Sequence, residues 1–199
     1  MIDRKYKVIF WDFDGVLMNS NEIRDLGFVR VLSEFPKQKV DQLLKFHQKN
    51  GGLSRYVKFR YFFEEVLGEE ILEEEINGWA EKFSEIMREL LIDESLLIEE
   101  TIQFVKKEYE KREMHIVSGS DQSELRYICE QLEIAKYFNS INGSPTPKND
   151  LVVNILDRNE LNKKECVLIG DSINDYEAAK INQIDFLPYN NPRLNKYIV

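Results

Sequence analysis

Lys5-Tyr6-Lys7-Val8-Ile9-Phe10-Trp11-Asp12-Phe13-Asp14-Gly15-Val16-Leu17-Met18-Asn19-Ser20 is the stretch that decides the fold. Val8 to Trp11 is a short, continuous apolar run of β-branched and aromatic residues, which suits a strand buried on both faces of a parallel sheet. The run stops at Asp12. In open α/β sheets ligands bind beyond the carboxyl ends of strands, so Asp12 and Asp14 are expected at the chemical end of the sheet, with Gly15 allowing a sharp turn. Two carboxylates ~4 Å apart repel by about 4 kcal/mol at an effective dielectric of about 20. A bound cation, or a proton held by one of the pair, would offset that cost. An Asp-Gly turn whose acids bond only to local backbone is the structural alternative.

The 199-residue chain is long enough for one sizeable domain, or a core domain with an insertion, and its 43% hydrophobic content can fill a core. A net charge of −9 argues against nucleic acid and anionic membranes as partners, while leaving room for a local anion pocket. The opening Met1-Ile2-Asp3-Arg4-Lys5 is not a charged-then-apolar leader, and no segment approaches the length of a membrane span; the expectation is a cytoplasmic protein. Cys129 and Cys166 read as small buried hydrophobes, and His47 and His115 show no metal-ligand spacing.

Downstream of the opening stretch, residues 19–35 carry Ile23, Leu26, Phe28, Val29, Val31 and Leu32 at helical spacing. From Lys37 to Ile92 every apolar cluster has a helical period, so residues 19–92 read as an inserted helical subdomain, with residues 1–18 and 93–199 forming an α/β core. Within the insertion Asn50-Gly51-Gly52 breaks the helices, and Tyr56, Phe59, Phe62, Phe63, Val66 and Leu67 form a packing stripe. Arg55, beside the glycine break, is a candidate substrate contact; Lys58 and Arg60 read as a solvated face.

In the core, Met114-His115-Ile116-Val117 reads as a strand running into Ser118-Gly119-Ser120-Asp121, where a hydroxyl and backbone amides could either cap a helix or hold an anion. A helix from Gln122 to Leu132 and a short strand from Tyr137 to Ile141 follow. Lys148 then opens a helix, an unfavourable place for a cation beside the helix dipole, which hints at another duty. Cys166-Val167-Leu168-Ile169 is a strand ending in Gly170-Asp171-Ser172-Ile173-Asn174-Asp175, whose two acids lie one helical turn apart, and Ile184 to Leu187 is a last strand. Strand ends thus carry Asp12 and Asp14, Ser118, Lys148, and Asp171 with Asp175. Carboxylate oxygens with room for water suit Mg²⁺, while Lys148, Ser118 and nearby amides suit a phosphoryl group.

In the order and type of these elements the chain resembles the haloacid dehalogenase superfamily, in the branch with a helical cap inserted after the first strand. The resemblance implies an α/β fold, with a Rossmann-like, mostly parallel sheet flanked by helices and a cap subdomain. It implies that Asp12 is the nucleophile, that Asp14 is the general acid and then the general base, and that Ser118, Gly119 and Lys148 bind phosphate. It further implies that Asp12, Asp14, Asp171 and Asp175 hold Mg²⁺ and that Asp175 helps hold Lys148. Proximity to other acids would raise the pKa of Asp14. Asn149 stands where many members of this branch have proline after the lysine.

The implied activity is Mg²⁺-dependent hydrolysis of a small phosphorylated metabolite, such as a sugar phosphate or a phosphoglycolate-like ester, with no obligate protein partner. A mutase of the β-phosphoglucomutase type shares the same core set and is the runner-up. A phosphonate hydrolase would need a Schiff-base lysine in the cap, for which Lys37, Lys39, Lys45, Lys49 and Lys58 are available. A catalytically idle binding protein is disfavoured by the intact acids, and a dehalogenase by the presence of Asp14.

Overall fold

The computed structural model describes residues 2–197. Five parallel strands form one sheet in the order β3-β2-β1-β4-β5: β1 (Val8–Trp11), β2 (Glu113–Asp121), β3 (Ser140–Ser144), β4 (Cys166–Gly170) and β5 (Asp185–Pro188). The α/β class and the parallel, helix-flanked sheet are therefore as the opening stretch predicts. β1 lies at the centre, paired with β2 through Trp11 and Ile116 and with β4 through Trp11 and Ile169. Its side chains alternate between two cores. Ile9 and Trp11 join Met114, Ile116 and Leu125 on one side, whereas Val8 and Phe10 join Val152, Leu168 and Ala179 on the other. Parallel strands need crossovers, supplied here by α5 (Glu99–Glu108) before β2, α6 (Gln122–Gln131), α7 (Lys148–Arg158) and α8 (Ile173–Asn182).

Between β1 and α5 the chain is helical and contains no described strand: α1 (Asn21–Val31), α2 (Lys37–Lys49), α3 (Arg55–Tyr61), a π-helical turn over Phe62–Leu67 and α4 (Glu73–Leu90). Ser54 caps α3 by accepting a bond from the Val57 amide. The wider π turn brings the consecutive Phe62 and Phe63 edge-on to one ring, Phe35, at 5.1 and 5.7 Å. Gly27 lets α1 approach α4 closely, because a Cβ there would lie 2.4 Å from Met87 Cε and 2.9 Å from Phe83.

Three local expectations shift. In α1 it is Arg24, Gly27 and Phe28 that face inward, while Leu26 and Val29 are exposed. The third strand starts at Ser140 rather than Tyr137, because Ala135–Tyr137 closes into a 3₁₀ turn and the Asn139 side chain accepts the Met114 amide before pairing begins. β2 continues past Val117 to Asp121, with an irregularity between those residues where the Ser118 hydroxyl accepts the Ser120 amide. Cys129 and Cys166 are free and buried as expected. No described helix is long and apolar enough to cross a membrane.

Candidate active site

β1 delivers Asp12 to the carboxyl end of the sheet, where it is 4% exposed. Its Oδ1 accepts the Phe13 amide at 2.8 Å and the Lys148 ammonium at 2.8 Å. Lys148 is the first residue of α7, and its Nζ also donates to Asp175 Oδ1. This partnership explains the lysine at a helix start: its charge is spent on two carboxylates from other elements. Burial lowers the Lys148 pKa, but Asp12 and Asp175 overcome it, so the ammonium stays charged.

Asp171 and Asp175 come from the β4–α8 junction. Asp175 is fully buried, and its Oδ2 accepts the Ser172 amide at 2.9 Å and hydroxyl at 2.6 Å, closing a capping box at the start of α8. One carboxylate thus both caps a helix and holds the lysine. Gly15, at φ 77°, sits so near Asp171 that a Cβ would lie 2.1 Å from Oδ2. The turn after Asp14 therefore needs glycine for its conformation and for this approach.

Asp12, Asp171 and Asp175 each present an oxygen within 4.8 Å of the others. Three carboxylates around one lysine leave an excess of negative charge, and burial makes it costly. Burial followed by Asp175 pushes Asp171 up to about 7, and the same two causes push Asp12 upward against the pull of Lys148. An all-oxygen cluster with uncompensated negative charge fits a hard divalent cation such as Mg²⁺.

Asp14 differs from expectation. Its Oδ1 accepts the Ser20 hydroxyl and Arg24 Nε, the latter at 2.8 Å, and its Oδ2 accepts the Ser120 hydroxyl at 2.6 Å. Burial pushes its pKa up, but Arg24 and the hydroxyls of Ser120 and Ser20 outweigh burial and hold the carboxyl at about 2. The net shift is therefore downward, opposite to the one expected from neighbouring acids. Ser118 is buried beside this group and Gly119 lines the same cavity.

The helical insertion reaches over these strand ends. Gly52 O accepts Asn174 Nδ2 at 2.9 Å, and the Tyr56 hydroxyl donates to Asp121 at 2.8 Å. Glu124 of α6, fully buried, joins two arginines of the insertion, Arg24 at 2.7 Å and Arg55 at 2.5 Å. Between insertion and sheet lies a cavity of about 640 Å³, lined by Asp12, Asp14, Ser118, Asp171, Arg55 and Lys58 among others. Arg55 lines it as a buried side chain engaged by Glu124, by Ser84 at 2.7 Å and by the face of Phe83. Arg60 is half-exposed and paired with Glu64 and Glu73, on the solvated face expected of it. Lys58 is not on such a face. It is 4% exposed, donates to Gly51 O at 3.1 Å, and burial lowers its pKa to about 7.

Arg24, Ser20, Ser120 and Glu124 escape the sequence reading, as does the burial of Lys58, which was read as a solvated face. Helical spacing held a signal for three of them: Arg24 shares a face with Gly27 and Phe28, Glu124 with Ile128, and Lys58 with Arg55 and Phe62, so each charge lies in an apolar stripe.

The sequence profile of the haloacid dehalogenase-like hydrolases matches residues 8–188, from β1 to the end of β5. The chain belongs to that family. Among solved haloacid dehalogenase-like structures, a predicted phosphoglycolate phosphatase from Haemophilus somnus shares the fold at a TM-score of 0.76 and 18% identity, covering 98% of this chain and 92% of its own. A predicted phosphatase from Clostridium acetobutylicum aligns at a TM-score of 0.74 and 16% identity, covering 96% and 90% of the two chains. The HAD-hydrolase YfnB of Bacillus subtilis, solved bound to magnesium, aligns at 0.64 and 14% identity over 94% and 91%. No curated protein matches the chain. In this haloacid dehalogenase-like hydrolase Asp12 and Asp171 follow the carboxyl ends of β1 and β4.

Proposed function

We propose that the protein is a Mg²⁺-dependent phosphatase acting on a small phosphorylated metabolite, a sugar phosphate or phosphoglycolate-like ester, through an aspartyl-phosphate on Asp12. The observation that carries this reading is the buried Asp12 carboxylate, held by Lys148 and grouped with Asp171 and Asp175. The side chains of Asp12 and Asp171 and the carbonyl of Asp14 would hold the metal, with Asp175 completing the site directly or through water. When bound, Mg²⁺ neutralises charge between the attacking carboxylate and the phosphoryl oxygens.

Asp12 Oδ attacks phosphorus, the bond from phosphorus to the ester oxygen breaks, and Asp14 supplies the proton to the leaving oxygen. Asp14 then takes a proton from water, whose oxygen attacks the aspartyl-phosphate; inorganic phosphate leaves and Asp12 is restored. Ser118, the Gly119 amide and Lys148 hold the non-bridging oxygens. With Arg24 on its Oδ1, Asp14 is poised as the base of the second step. For the first step a proton has to reach it, brought by the substrate's phosphoryl group or taken from solvent once Arg24 withdraws.

The helices of residues 19–92 act as a cap that excludes bulk water from the cavity, and Arg55 contributes to substrate selection from its wall. A metabolite-sized cavity and an acidic chain suit a small-molecule partner better than nucleic acid or a membrane. The test is Asp12→Asn, which is expected to abolish Mg²⁺-dependent phosphate release from p-nitrophenyl phosphate, by roughly a thousandfold or more, with an unchanged circular dichroism spectrum. Undiminished turnover in a folded variant refutes Asp12 as the nucleophile.

A further inference from the structure

The chain beyond β5 offers little chemical signal in sequence, yet it reaches the site. β5 ends at Pro188, and Asn190, at φ 50°, turns the chain beside the end of β4; asparagine is among the residues that tolerate this left-handed conformation. The residues on either side of it grip β4 and its exit. The Tyr189 amide donates to Gly170 O at 2.8 Å, and Asn191 Nδ2 donates to Asp171 O at 2.7 Å. Asn191 also lines the active-site cavity. Its side chain is itself fixed: Oδ1 accepts the Arg193 amide at 3.2 Å, at the start of a 3₁₀ turn over Pro192–Tyr197. Leu194 anchors that turn in the core that holds Val8 and Phe10, and the Tyr197 ring stacks on Tyr176 at 4.1 Å.

The group that Asn191 holds is the peptide between Asp171 and Ser172. A peptide unit is planar, so its carbonyl and its N–H turn together. The N–H of this unit is the Ser172 amide, which donates to Asp175 Oδ2 at 2.9 Å, and the Cα on its carbonyl side carries the Asp171 side chain. One plane therefore sets the aim of two of the three carboxylates in the cluster with Asp12. Asp171 depends on it more than the other acids do. Lys148 pairs with Asp12 and with Asp175, whereas among the described residues no cation pairs with Asp171, whose carboxylate has the neutral Asn21 beside it.

We propose that Asn191 is a positioning residue for the metal site, holding the 171–172 peptide so that Asp171 and Asp175 face the point they share with Asp12. The inference rests on the Mg²⁺ site of the reading above and not on turnover. Groups that orient metal ligands are worth about 10–100-fold in metal affinity. Without the Asn191 amide the Asp171 carbonyl loses its side-chain donor, and the plane that carries both acids is free to tilt.

The experiment titrates Mg²⁺ by calorimetry into the natural protein and two variants, each first stripped with a chelator. Asn191→Ser keeps a hydroxyl that can accept the Arg193 amide, as serine does in such turns, but is too short to reach Asp171. It is expected to weaken Mg²⁺ binding about tenfold while Tm stays within about 2 °C. The Mg²⁺ concentration for half-maximal phosphate release is expected to rise by the same factor. Tyr197→Leu removes the stack on Tyr176 without touching Asn191, and is expected to lower Tm while Mg²⁺ affinity stays within about twofold. Natural Mg²⁺ affinity in Asn191→Ser, or an equal loss of affinity in Tyr197→Leu, overturns the assignment. Mg²⁺ binding without phosphate release from any ester overturns the phosphatase reading instead, and the calorimetric comparison still decides Asn191. A natural protein that binds no Mg²⁺ overturns both.

Discussion

Glu124→Gln tests the element that joins the helical insertion to the core. Glu124 has no exposure to solvent and accepts from Arg24 Nη1 at 2.7 Å and Arg55 Nη1 at 2.5 Å. Burial pushes its pKa up, but Arg55 and Arg24 hold it below the ordinary glutamate value, so it is an anion at neutral pH. Glutamine keeps the shape and loses the charge. Its amide oxygen can accept from one guanidinium, while its NH₂ then faces the N–H of the other. Arg24 retains Asp14, but Arg55 keeps only the Ser84 hydroxyl and the Phe83 face.

Removing one partner of a buried pair costs about 3–5 kcal/mol. For a chain of this size that corresponds to a fall in Tm of roughly 6–20 °C, since each kcal/mol shifts Tm by about 2–4 °C. The assay is urea and thermal denaturation at pH 7, followed by circular dichroism. If Glu124→Gln is destabilised by less than about 1 kcal/mol, the two arginines are satisfied elsewhere and the pinning of the insertion by Glu124 is wrong.

The glycine break offers a paired contrast. A Cβ at Gly52 would stand 2.7 Å from Asn174 Cβ and Ser172 Oγ, whereas one at Gly51 meets nothing within 4 Å. Gly52→Ala is expected to cost about 1–3 kcal/mol by overpacking and to raise KM, while Gly51→Ala stays within about 0.5 kcal/mol in the same denaturation assay; equal effects would remove Gly52 from the contact. His47 gives a pH dependence. Burial, with Lys58 and Arg24 adding and Asp14 opposing, lowers its pKa to about 3, and Asp25 lies 3.5 Å from its ring. The unfolded chain binds a proton there at about pH 6.5 and the folded chain does not, so stability is lost as pH falls below that value. The loss between pH 7 and pH 5 is about 2 kcal/mol. His47→Gln should flatten the urea-midpoint profile by that amount, and parallel profiles for the two proteins refute the assignment.

The chemical half of the site was readable because each of its parts is local. Asp12, Ser118 and Asp171 follow directly on apolar runs that can only be buried strands, and Lys148 opens a helix where a cation is out of place. Within such a junction strand direction alone decides where the side chain arrives. The ionisation of Asp14 was not readable. Its controlling partners are Arg24, ten residues on in a helix whose apolar pattern suggested a different inward face, and Ser120 on another strand.

Glu124 lies 100 residues from Arg24 and 69 from Arg55, and Lys58 owes its burial to α3 packing against the core. Along a helix a buried charge and a solvated one follow the same spacing; what separates them is which surface covers that face. The order of acids and apolar runs was therefore enough to determine the sheet, the family resemblance and the cluster around Asp12. The charge state of Asp14, the clamp at Glu124 and the burial of Lys58 were decided by tertiary packing, because the free energy of a charge depends on the solvent and counterions that packing removes or supplies.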